Sequence, residues 1–208
     1  MHRRSLKKKA ASGGFTLIEL MVTITIIVLV TGIVMVRYSS FNSSVLLTSQ
    51  AYITAFDLRE AQSLAISVRG NGAEFREDYG VYFSMSDPTR YLLFQDNNDN
   101  GDYSPARYDA GEEVGTPYML DPRFEIENIC GISGTARTCY KAEADVAGET
   151  VDANFNSLAI TFKRPDFDAA FYTPGASSMQ EAEIYIAPLD GELSKVVRVY
   201  ATGQISVD

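Results

Sequence analysis

The chain has 208 residues, 46% of them apolar, with 18 basic and 27 acidic side chains. That suffices for one modest globular domain plus an anchor and is too apolar for a disordered chain. The five charges of the first fourteen residues are all basic (Arg3, Arg4, Lys7, Lys8, Lys9); without that block 13 basic face 27 acidic groups, and the net charge falls from −9 to −14. So negative a surface repels phosphate backbones and anionic lipid, which disfavours nucleic acid as a partner.

Residues 15–36 read FTLIELMVTITIIVLVTGIVMV, 22 residues broken by one charge, Glu19. A helix of that length spans a bilayer core. The preceding basic block places the N-terminus in the cytoplasm and the bulk of the chain outside. A conventional signal peptide carries its small residues after the apolar run; here Ser12-Gly13-Gly14 come before it. The Arg3-Arg4 pair raises a twin-arginine signal, against which the run is too long and too apolar. A plain signal anchor leaves Glu19 unexplained, since a carboxylate in a membrane helix is costly unless paired.

The stretch Gly14-Phe15-Thr16-Leu17-Ile18-Glu19-Leu20, behind a basic leader and ahead of the apolar run, resembles the processing motif of type IV prepilins and type II secretion pseudopilins. The resemblance implies a cytoplasmic-side prepilin peptidase/methyltransferase that cuts after Gly14 and methylates Phe15. Glu19 then becomes the fifth residue of the mature chain, an assembly residue pairing with the free ammonium of a neighbouring subunit. In an apolar assembly two such charges compensate each other strongly. The implied domains are a leader at 1–14, a transmembrane and filament-core half-helix at 15–36, an amphipathic half-helix at 37–69 and a β-rich head at 70–208.

Past the apolar run, residues 39–44 are weak helix formers, which predicts a local loosening. Leu47, Ala51, Thr54, Leu58, Ala61, Ala65 and Val68 then step by three and four along one helix face, with alanines that allow close approach of a sheet. Gly70-Asn71-Gly72 supplies a stop. A helix over 15–69 would be ~80 Å long. Ile53, Phe56 and Leu64 lie on another side, for neighbouring subunits or for the head core.

Alternation and β-branched or aromatic runs predict strands at 79–85, 91–95, 124–126, 158–162, 184–186, 195–200 and 204–207. Residues 141–156 and 164–180 read as surface loops. The fold class is therefore α+β, a long N-terminal helix packed on an antiparallel β-rich head, the type IV pilin fold that the resemblance implies. One helix, a hairpin, an Asp/Asn-rich loop and a closing strand pair around Thr202-Gly203 resemble the GspH/FimT branch of minor pseudopilins and pilins. Some members of that branch bind DNA through basic residues near this end, where the present chain has only Lys195 and Arg198.

Residues 96–102, DNNDNGD, match the first half of an EF-hand loop: Asp96, Asn98 and Asn100 ahead of Gly101, with Asp102 following. Position twelve is Arg107, so closure of a calcium sphere falls to Asp109, Glu112 or Glu113. A solvated turn explains the same residues. No cofactor is otherwise required. Cys130 and Cys139, eight residues between them and no His near, exclude a zinc site; with an export signal they read as a disulfide, the alternative being two buried thiols.

Enzymatic chemistry finds little to use: carboxylate pairs such as Glu112-Glu113 or Asp166/Asp168 could in principle act, but read as solvated loop charges. The only histidine, His2, lies in the leader, and no nucleophile elbow, phosphate loop or dinucleotide fingerprint occurs. The expected function is a structural subunit, a minor pilin or pseudopilin. Its partners are other subunits, the peptidase and an inner-membrane assembly platform. The precursor sits in the bacterial inner membrane with its head outside, then in a surface pilus or periplasmic pseudopilus. A major pilin and a membrane-anchored adhesion module are the alternatives.

Overall fold

The computed structural model describes residues 14–67, 78–96, 108–141, 149–162, 167–174, 178–189 and 193–208, with the side chains of 36–42 outside that description. One helix, α1 (Leu17–Ile66), precedes eleven strands. The helix continues through 39–44, where weak formers predicted a loosening. Two compact units divide the chain, Met1–Asn42 and Ser43–Asp208, and each is described by itself.

In the first unit Thr16 caps the helix. Its carbonyl accepts the Leu20 N–H at 3.2 Å and its Oγ1 accepts the Glu19 N–H at 3.3 Å, satisfying donors that a helix start leaves open. The apolar span Leu17–Met35 has no buried residue. Thr23 and Thr25, polar residues inside that span, donate their hydroxyls to the Leu20 and Met21 carbonyls at 2.9 and 2.8 Å, so neither presents a bare hydroxyl to an apolar surrounding.

In the second unit the helix presents the predicted face. Leu47, Ala51, Thr54, Leu58, Ala61 and Ala65 are all at most 2% exposed, and Ala55 joins them; Val68 lies outside the described residues. Of the three residues on another side, Leu64 packs on the core, whereas Ile53 and Phe56 are exposed beside Tyr52.

The strands are β1 (Asp78–Ser84), β2 (Arg90–Asp96), β3 (Tyr118–Met119), β4 (Phe124–Ser133), β5 (Ala136–Cys139), β6 (Glu149–Val151), β7 (Ser157–Phe162), β8 (Ala169–Tyr172), β9 (Glu181–Pro188), β10 (Lys195–Tyr200) and β11 (Ile205–Val207). They form a five-stranded sheet, β3-β2-β1-β7-β8, and a six-stranded sheet, β11-β10-β9-β4-β5-β6. Every pairing is antiparallel except β5 with β6. One cluster of buried side chains takes in the helix face and both sheets, among them Val81, Phe83, Leu158, Ile160, Ile184 and Val197.

Two strands fall where loops were expected: β6 within 141–156 and β8 within 164–180. Both are edge strands of three or four residues, too short to show a period of two. The β4–β5 hairpin was also missed. It turns on Gly134, φ +63°, and Thr135, a two-residue connection in which glycine supplies the left-handed first position.

The closing strand pair is anchored to the helix. Gln62 Nε2 donates to the carbonyls of Gly203 (3.0 Å) and Phe167 (3.2 Å), and Arg59 donates to the Ile205 carbonyl at 3.3 Å. Gly203 has φ +77°, and a Cβ there would stand 1.8 Å from the Phe167 carbonyl oxygen. No other residue fits this corner.

Candidate functional site

The processing segment is exposed. A Cβ built on Gly14 meets nothing within 4 Å, and Phe15 is 83% exposed. Among the described residues nothing therefore demands glycine at 14 or an aromatic ring at 15. Glu19 lies in the first turn of α1, where the partial positive charge of the helix N-terminus favours a carboxylate. Thr16 and Glu19 thus form the T-x-x-E pattern of a capped helix start, a signal legible in the sequence.

Cys130 and Cys139 are bonded, and their Cα atoms lie 4.1 Å apart as directly opposed residues of β4 and β5. The neighbouring pair carries the backbone bond, Tyr140 N–H to the Ile129 carbonyl at 3.0 Å. The cysteines therefore occupy the closer, non-hydrogen-bonded kind of pair. Their ligand atoms lie with that of Glu149 within 4.8 Å, the one such group of three among the described residues. A disulfide has no thiolate to offer a metal, so this group holds none.

The row that contains the disulfide runs on across the outer face of the six-stranded sheet. Cys130 faces Glu183 on β9, and Glu183 faces Arg198 on β10. Two residues along β5 from Cys139, Arg137 reaches three partners: Nε to Glu183 Oε2 at 3.0 Å, Nη1 to Glu149 Oε1 at 3.0 Å and Nη2 to the Tyr185 hydroxyl at 2.5 Å. Its guanidinium also lies 5.6 Å from the centre of the Tyr185 ring. Arg198 Nε stands 3.0 Å from Glu183 Oε1, though not aimed to make a hydrogen bond, and Nη1 is 3.0 Å from Asp208 Oδ2. Burial and the neighbouring Glu183 charge hold the Glu181 carboxyl above its ordinary range, against the pull of Arg198.

Of the calcium candidates, Asn98, Asn100 and Asp102 lie outside the described residues. Glu112 Oε2 accepts the Asp109 N–H at 2.9 Å, and Glu113 accepts from the Tyr108 hydroxyl and from the Gly111 N–H. These carboxylates stabilise their own turn. Tyr108 in turn packs on Tyr82 and Phe94, and burial and the bond to Glu113 push its phenol up to about 12.

A long apolar N-terminal helix followed by a β-rich head of antiparallel sheets is an α+β arrangement consistent with a type IV pilin fold. Residues 9–35 match the family described as the prokaryotic N-terminal methylation motif, which supports a type IV prepilin-like protein. No curated protein and no solved structure matches it.

Proposed function

We propose that this protein is a minor pilin or pseudopilin, similar to the GspH/FimT branch, and a structural subunit rather than an enzyme. A prepilin peptidase cuts it after Gly14 and methylates Phe15. Other subunits and an inner-membrane assembly platform then draw it into a type IV pilus or a type II secretion pseudopilus. The observation that carries this reading is the segment 14–35: a glycine that no internal packing requires, then an apolar helix with no buried residue and a single carboxylate. Such a surface needs a bilayer first and partner helices afterwards. Arg198, one of the two basic residues of the last strands, lies among Glu181, Glu183 and Asp208, which favours a structural role over DNA uptake.

The test is Glu19→Ala in cells. Membrane insertion should be unchanged, while incorporation into sheared fibres or pseudopili should fall by about tenfold or more, the size of an uncompensated charge. Assembly equal to wild type rejects the role. Calcium at 96–102 is a separate proposal, and a thermal melt unmoved by millimolar calcium would dismiss it.

A further inference from the structure

The Cys130–Cys139 bond lies on the outer face of the six-stranded sheet, yet both cysteines are 0% exposed. They form a small apolar cluster with Tyr185, on which Val196 packs. Their cover thus belongs to a cluster separate from the main core, with the Tyr185 ring as its largest member. Breaking a disulfide by exchange requires a thiolate to reach one of its sulfurs, so access as well as reactivity sets the rate.

Charge ties that ring down. The Tyr185 hydroxyl donates to Glu183 Oε2 at 3.0 Å and accepts from Arg137 Nη2 at 2.5 Å. The guanidinium also lies 5.6 Å from the ring centre, within cation–π range. Arg137 is itself anchored by Glu183 Oε2 on β9 and Glu149 Oε1 on β6, each at 3.0 Å. The strand order is β9-β4-β5-β6. The fork therefore reaches from β9 to β6 across the two strands that the disulfide joins. Arg137 stands two residues from Cys139 on β5, and so on the same face of the sheet.

We propose that Arg137 and Tyr185 form a strap that closes the Cys130–Cys139 bond to dithiol reductants, and that local release of the strap, without unfolding of the head, opens the bond to them. The exchange balances with the dithiol as the only co-reactant. One of its thiolates attacks a cysteine sulfur and forms a mixed disulfide, while the other cysteine leaves as a thiolate. The second thiol of the reagent then displaces the first cysteine. The reagent ends oxidised as a disulfide, and Cys130 and Cys139 end as thiols that have gained two electrons and two protons. Reduction removes the covalent tie between β4 and β5, and β6 joins the sheet through β5, so the effect of release falls on this edge.

The experiment incubates the full-length protein in detergent with dithiothreitol, traps freed thiols with iodoacetamide and counts them over time by mass spectrometry. Arg137→Met removes the strap, and Tyr185→Phe keeps the ring but drops its hydroxyl ties. Each should speed reduction by about tenfold or more, the size of a lost charge-assisted hydrogen bond. Gly203→Ala, which strains a different corner and leaves the strap intact, should stay within about twofold of wild type. Repeating the reaction at low urea reads the route. Exchange through local release barely depends on urea, whereas exchange through global unfolding climbs with the full unfolding slope. The two strap variants should show the flat dependence. If Arg137→Met does not fold, which near-UV circular dichroism shows, Tyr185→Phe decides alone. Strap variants reduced as slowly as wild type, Gly203→Ala reduced as fast as they are, or strap-variant rates that follow the global slope overturn the proposal.

Discussion

Tyr91 of β2 donates its hydroxyl to Asp57 Oδ2 of the helix at 2.5 Å, and both side chains are buried. The pair is a buried polar tie between helix and five-stranded sheet. Burial drives the Asp57 carboxyl up, the Tyr91 bond pulls it down and Glu60 adds repulsion, with a net rise.

The sign of the pH dependence follows. An acid whose folded value exceeds its unfolded one favours the folded state most at low pH, where both forms are protonated. That contribution is lost as pH rises from the ordinary carboxylate value through the raised one. Tyr91→Phe removes the interaction that lowers the value and so widens this window. The substitution should cost about 1–3 kcal/mol at pH 7 and clearly less near pH 4. Asp57→Asn should abolish the difference. Denaturant unfolding at both pH values, as a double-mutant cycle, measures it.

Arg137 offers three nitrogens to Glu183, Glu149 and Tyr185, with its side chain 14% and the two carboxylates' side chains 5% exposed. Arg137→Met leaves two nearly buried carboxylates without that countercharge, an expected loss of about 3–5 kcal/mol. Acidification should restore part of it, since protonated carboxyls need no cation. Arg137→Lys should recover little, because a point charge cannot reproduce the fork. Thermal melts of the three proteins across pH distinguish these outcomes.

Gly203 sits at φ +77° with no room for a methyl group. Gly203→Ala combines the left-handed penalty of about 1–2 kcal/mol with a backbone clash that must displace Phe167 or the Gln62 contacts. A loss of about 2 kcal/mol or more is expected. Chemical denaturation reads it, and an unchanged midpoint would contradict the packing of this corner.

Gly14 is the reverse case. Because a Cβ there touches nothing, Gly14→Val should leave the melting temperature within error. If the glycine serves a peptidase site, the same variant should yield about tenfold less of the product beginning at Phe15. Mass spectrometry of membranes from cells carrying the peptidase counts the two forms.

The apolar helix and the motif over residues 9–35 were legible because their signals are one-dimensional: basic residues, then a run of apolar ones. The buried helix face was legible too, since Leu47 to Ala65 repeat at the helix period. Strands with clear alternation, such as Ile184 and Ile186, were found for the same reason, whereas β6 and β8 were not. They are edge segments of three and four residues, each paired with the strand before it and too short to show a period of two.

By itself, then, the sequence determined a long apolar N-terminal helix, the methylation motif at its start and which helix face is covered. Tertiary structure alone decided that the two cysteines oppose each other on adjacent strands, that Arg198 is surrounded by carboxylates, that Ile53 and Phe56 stay exposed while Leu64 does not, and that Asp57 meets Tyr91. Each of these depends on which residues distant in sequence are brought together, and local periodicity carries no record of that.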